Sequence, residues 1–153
     1  MSQQSAVIYW VRRDLRLADN PAFTAAVQCG KPVLPVAIND QLQKDLGAAP
    51  KWRLGLGLEK FSASLDAIGS KLILRSGDPQ QVLETLMRET GADYLVWNRI
   101  YETKAMARDS AIKQAFKQRG IKVDSFGGAI LFEPMSVETK TGGFYRVFTP
   151  FWN

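Results

Sequence analysis

Apolar residues gather in five short, nearly continuous runs at 6–11, 33–38, 71–74, 94–97 and 123–126, each rich in β-branched and aromatic side chains. Runs of that length and make-up predict strands buried on both faces, as in a parallel sheet. Between them, at 21–29, 50–68, 79–90 and 103–119, apolar positions recur at helical spacing. The punctuation agrees. Gly30, Gly69, Gly91 and Gly120 each follow a helix, where a left-handed residue closes the last turn. Asn20-Pro21 and Asp78-Pro79 pair a side-chain acceptor at the N-cap with a proline at the first helical position. In the second helix, Trp52, Leu56, Phe61, Leu65 and Ile68 form a stripe expected to pack on the sheet.

The order β-α-β-α-β-α-β-α-β predicts a doubly wound, Rossmann-like α/β fold with a five-stranded parallel sheet in the order 3-2-1-4-5 and helices on both faces. Ligands of such folds bind beyond the C-terminal ends of the strands where the order reverses, here strands one and four. That crevice would be lined by residues 10–14 and 98–102.

Composition narrows the chemistry. With 153 residues, 46% hydrophobic and 23% charged, and a mean hydropathy of −0.15, the chain has the make-up of one globular domain. No apolar run approaches the roughly 20 residues of a membrane span and no signal peptide opens the chain, so the expectation is a cytoplasmic protein without a membrane partner. One cysteine, Cys29, and no histidine exclude an intrachain disulfide, the usual zinc sets and any Ser-His or Cys-His nucleophile pair; no metal is expected. The net charge of +5 permits an anionic partner without requiring one.

Phosphate cradles are poorly represented. The G-x-G at Gly55-Leu56-Gly57 lies inside a helix, so it is not a dinucleotide fingerprint, and Lys140-Thr141-Gly142-Gly143 reads as a hairpin turn. Two interior helix glycines ask for a reason, either close packing or a surface facing a flat ligand. Arg12-Arg13-Asp14-Leu15-Arg16 with Asp19-Asn20 is the densest charge cluster and falls in the expected crevice, as an ion-pair network or as an anion contact. Asn98, Arg99 and Glu102 face it, suited to a polar heterocycle or to capping the loop. Asp14 and Glu102 are the only carboxylates there, and no catalytic constellation emerges. Beyond residue 127 periodicity stops, and Phe144, Tyr145, Phe148, Phe151 and Trp152 make an aromatic end expected to pack on its own sheet or on a partner.

Three motifs, in order, resemble the DNA photolyase/cryptochrome family: Tyr9-Trp10-Val11-Arg12-Arg13-Asp14-Leu15-Arg16-Leu17 with Asp19-Asn20-Pro21-Ala22; Trp97-Asn98-Arg99-Ile100-Tyr101-Glu102 with Ala107-Arg108-Asp109; and Leu131-Phe132-Glu133-Pro134 with residues 145–152. The resemblance runs over nearly the whole chain and points to bacterial class I cyclobutane pyrimidine dimer photolyases. It implies an antenna domain at 1–127 that passes excitation energy to FAD, and an interdomain lead at 128–153 toward a helical FAD-binding domain that this chain does not contain. The implied parent is a monomeric lyase that meets damaged DNA through that helical domain and repairs pyrimidine dimers by light-driven electron transfer; the 153 residues alone are expected to be inactive and carry no catalytic residues. A cryptochrome photoreceptor and a freestanding nucleotide-binding module are the alternatives.

Carried over residue by residue, the resemblance implies an antenna site made of Trp10, Arg12, Arg13, Asp14, Asp40, Trp52, Leu54, Gly55, Leu58, Asn98, Arg99 and Glu102. Folate-binding members place an Asn-Glu pair where this chain has Lys104-Ala105, which favours a deazaflavin or flavin over methenyltetrahydrofolate. Val11 stands for the family's common Phe, and Thr103 for its common Pro.

Overall fold

Five parallel strands form one sheet in the order β3-β2-β1-β4-β5, as expected. In this computed structural model, which describes residues 5–130 together with Glu133, Thr139, Gly142 and Gly143, the chain runs β1 (Val7–Val11), α1 (Pro21–Gln28), β2 (Val33–Asn39), α2 (Gln41–Lys44), α3 (Ala48–Asp66), β3 (Ile73–Ser76), α4 (Pro79–Thr90), β4 (Tyr94–Asn98), α5 (Thr103–Gln118) and β5 (Lys122–Phe126).

The strand pleat divides the core in two. On one face Ile8, Trp10, Val36, Ile38, Leu95, Trp97 and Val123 pack with Leu83 and Leu86 of α4 and Ile112 and Phe116 of α5. On the other, Val7, Tyr9, Val11, Ala37 and Val96 meet Ala22 and Ala26 of α1 and Phe61 and Leu65 of α3. Each large apolar side chain so buried contributes roughly 1.5–3 kcal/mol, which fixes both layers to β1. The caps follow the sequence: Asn20 Oδ1 accepts from Phe23 N–H at 3.1 Å and Asp78 Oδ1 from Gln81 N–H at 3.0 Å. Gly91, with φ +67°, occupies the left-handed position that closes α4.

Several expectations are corrected. The third strand lies at 73–76, two residues later than expected, and it is an edge strand: Leu74 is 62% exposed, so this run is not covered on both faces. The apolar stripe of α3 is also rotated from the one expected. Trp52 (69% exposed), Leu56 and Ile68 point to solvent, and only Phe61 and Leu65 of that set are buried. The inward line is instead Pro50, Leu54, Gly57, Phe61, Leu65, at steps of three and four, whose first three members face a cavity and whose last two face the sheet. The short helix α2 was not expected; Asp40 caps it by accepting from Gln43 N–H at 2.9 Å.

The expected turn near residue 140 is marked by bonds from Gly142 N–H to the Thr139 carbonyl and from Thr139 N–H to the Gly143 carbonyl, both 2.9 Å. Lys140, Thr141 and the aromatic residues from Phe144 to Trp152 lie outside the described residues, as does the third motif apart from Glu133. Among the described residues no helix is long and apolar enough to cross a membrane, and no cluster of candidate metal ligands occurs.

Candidate functional site

Where β1, β2 and β4 end, the loops after them and the N-terminal half of α3 enclose an open cavity of about 870 Å³. That lies within the range of small-molecule and cofactor sites, at the place where an open α/β sheet binds ligands. Its apolar wall includes Trp10, Leu15, Leu42, Leu46, Leu54 and Ile100. Its charged wall holds Arg12, Arg13, Arg16, Arg53, Lys60 and Arg108 against Asp40 and Glu102, a strong cationic excess.

At the inner end of the cavity, two arginines sit against one tryptophan. Arg12 is buried and donates to the Asp109 carboxylate and to the Asn98 carbonyl. Its guanidinium carbon lies 4.8 Å from the centre of the Trp10 ring, and that of Arg108 lies 4.9 Å from the same ring. Arg108 is held by Asp40 and by Asp109, the latter at 2.9 Å. Trp97 meets Trp10 edge-on, with ring centres 5.7 Å apart. Burial pulls the Arg12 guanidinium below its usual basicity, opposed by Asp109 and reinforced by Arg108. Arg12 Nε is buried and has no hydrogen-bond partner among the described residues. An orphaned donor in a residue that lines a cavity is an unmet demand for an acceptor.

The remaining crevice residues are committed to structure. Asp14 accepts from Tyr9 Oη–H at 2.6 Å, from Arg12 N–H at 3.2 Å and from Asn98 Nδ2–H. Asn20 donates to Tyr9 Oη at 2.7 Å, and Asn98 donates to Asn20 Oδ1 at 2.7 Å. Asn98 Oδ1 also accepts from Ala22 N–H at 3.0 Å, so this network ties the end of β4 to the start of α1. Burial, then the charge of Asp14 and the hydrogen bond to it, push the Tyr9 hydroxyl far above the ordinary phenol range. Arg13 and Glu102 form a two-point ion pair at 2.6 and 3.1 Å on the rim, and the Arg13 bond holds the Glu102 carboxyl below its usual value. Arg99 turns away to the Ser125 carbonyl (2.6 Å) and Glu133 (2.9 Å), where Tyr101 also donates at 2.7 Å.

Of the twelve candidate residues, the cavity brings together Trp10, Arg12, Arg13, Asp40, Leu54 and Glu102. Asp14, Asn98 and Arg99 line a separate, smaller depression, and Gly55 and Leu58 line a groove against the β3 edge. Trp52 lines none of these three. The helix glycines divide the two readings given to them. A Cβ on Gly57 would come within 2.6 Å of Leu15 Cδ1, a close approach of the loop after β1, whereas one on Gly55 meets nothing within 4 Å. Sequence reasoning missed Arg53 and Lys60, which share one side of α3 with Leu54 and Gly57, and Arg108, which lies inside the second motif.

A family model for DNA photolyase matches residues 7–153. The chain belongs to the DNA photolyase family. It is 49% identical over 153 residues to a deoxyribodipyrimidine photo-lyase of Agrobacterium fabrum, covering 99% of this chain and 32% of that one. It is 34% identical over 156 residues to cryptochrome-2 of Arabidopsis thaliana, covering 99% of this chain and 25% of that one. The crystal structure of a class III photolyase from Agrobacterium tumefaciens superposes with a TM-score of 0.92 at 46% identity, covering 99% of this chain and 32% of that one. An archaeal photolyase from Sulfolobus tokodaii, described with two FAD molecules, shares the fold at TM-score 0.77 and 24% identity, over 96% of this chain and 33% of that one. The chain thus spans at most about a third of the length of these photolyase-family relatives. The resemblance to class I members gains no support, since the similar structure at 46% identity is a class III enzyme.

Proposed function

We propose that these 153 residues are the light-harvesting N-terminal part of a class III-type deoxyribodipyrimidine photo-lyase, with the cavity at the ends of β1, β2 and β4 as its antenna site. The observation that carries the reading is the 49% identity across 99% of the chain to a protein of that name, against 34% for the cryptochrome. The parent would be a cytoplasmic monomer that binds damaged DNA and FAD through its helical part.

The cavity suits a flat heteroaromatic ligand with an anionic group. Leu54, Leu42 and Ile100 supply apolar surface, and Arg53 and Lys60 supply positive charge. A bound chromophore would contribute absorption in the near-ultraviolet or blue and hand its excitation to FAD. The chain's own residues would orient it, exclude water from its ring and neutralise its charge. Ala105, 1% exposed, adds a small apolar wall where folate-binding members carry a carboxylate, which favours a flavin or deazaflavin.

The test is a spectral titration of the chain with FMN, a deazaflavin and methenyltetrahydrofolate. Saturable binding of one of them, lost in Leu54→Trp and weakened by Arg53→Ala with Lys60→Ala, is expected. Absence of binding for all three refutes the antenna reading. Dimer repair by the parent under blue light separates photolyase from cryptochrome.

A further inference from the structure

Trp10 is the side chain most able to spoil an antenna in this cavity. An indole next to a photoexcited isoalloxazine can give it one electron, leaving an indole radical cation and a reduced ligand; the electron then returns and the excitation is lost as heat. No bond forms or breaks in that cycle. Trp97, edge-on to Trp10 at 5.7 Å, could relay the hole further from the ligand and prolong the loss.

Two guanidinium groups oppose this at the ring itself. The carbons of Arg12 and Arg108 lie 4.8 and 4.9 Å from the centre of the Trp10 ring, and Arg12 also lies 6.0 Å from that of Trp97. A cation favours the neutral, electron-rich ring and disfavours a ring that has become positive. Asp109 binds both arginines and Asp40 binds Arg108, so the carboxylates keep the cations in place while offsetting part of their field. Since Arg12 and Trp10 are almost fully buried, solvent screens these interactions weakly.

We propose that Arg12 and Arg108 are positioning residues that hold positive charge on Trp10 so that it does not quench a chromophore bound in the cavity. The inference rests on the antenna reading, and its distinctive readout is the excited-state lifetime of the bound ligand. In the 153-residue chain saturated with FMN, the flavin fluorescence lifetime is expected to be nearly the same in wild type and Trp10→Phe, because the tryptophan is already silent. Arg108→Met is expected to shorten that lifetime by about fivefold through the lost Coulomb term, with an indole radical seen by transient absorption. Arg108→Met combined with Trp10→Phe should restore it.

A short wild-type lifetime that Trp10→Phe lengthens overturns the proposal while leaving the antenna reading intact, as does an Arg108→Met lifetime equal to wild type. Failure of FMN to bind overturns the proposal; the antenna reading falls only if the deazaflavin and the folate fail as well. Should Arg108→Met not fold, Arg108→Gln, which keeps a polar side chain against Asp40 without the charge, takes its place with the same expected shortening.

Discussion

Substituting the two glycines of α3 separately tests how the helix meets the loop after β1. Gly55→Ala places a methyl group in open space, so it should express only the helix preference for alanine, about 0.5–1 kcal/mol of stabilisation. For a domain of this size that is a rise in Tm of about 1–4 °C. Gly57→Ala gains the same preference, but its Cβ meets Leu15 Cδ1 at 2.6 Å. Overpacking costs typically about 1–3 kcal/mol, and the low end applies because the obstructing atom is the tip of a side chain that can turn. Gly57→Ala should therefore be neutral to about 1 kcal/mol destabilising, roughly 1–2 kcal/mol below Gly55→Ala. Urea or thermal unfolding of both variants measures the gap. Leu15→Ala should erase most of it, giving a coupling of about 1 kcal/mol between positions 15 and 57 in a double-mutant cycle. Equal stabilisation by both alanines, or no coupling to Leu15, would refute the packing of this loop on α3.

Further outcomes follow from the buried charges and from the exposed face of α3. Asp109→Asn should destabilise by about 3–5 kcal/mol in urea unfolding, because it strips the buried Arg12 of its carboxylate partner. At alkaline pH the unfolded chain ionises Tyr9 near pH 10 while the folded chain does not, because its hydroxyl is raised by burial and Asp14. This contribution to stability is whole below about pH 10 and is lost as pH rises beyond it, by up to about 1.4 kcal/mol per pH unit. Tyr9→Phe should flatten the slope by that amount in a pH series of unfolding curves, with the Tyr94 contribution remaining. Glu102→Gln breaks an ion pair whose members are both about half exposed, so a loss under about 1 kcal/mol is expected, shrinking in high salt. Trp52→Ala should leave both stability and ligand affinity within error, since the side chain is 69% exposed and lies outside the cavity.

The architecture was legible because its signals are local. Continuous apolar runs mark strands covered on both faces, and the Asn20-Pro21 and Asp78-Pro79 pairs fix helix starts within the span of a few bonds. Helix α3 was misread because apolar composition alone does not say which side of a helix is inward. Its outward side carries Trp52 and Leu56, whereas its inward side includes Gly57, whose smallness admits Leu15. A hydrophobic stripe averages over such exchanges; a contact between a glycine and a leucine 42 positions away leaves no local trace.

The run after β1 shows why the site itself was half legible. The strand pleat gives that run both an ion-pair network and a set of side chains lining the cavity. Positions 10 and 12 continue one face, so Arg12 extends over Trp10 toward Asp109 at the inner end of the cavity. Tyr9 belongs to the opposite face, and Asp14 turns back to it, where Asn20 and Asn98 complete the bonding. Arg13, between the two, can reach only the rim and finds Glu102. Charge density in a sequence therefore locates the switch point of the fold, but it is the alternation of the strand that sorts which charges build the loop and which face the cavity. Arg108 completes the second group from 96 residues away, because α5 begins where β4 ends and lays its first turns along the same cavity wall.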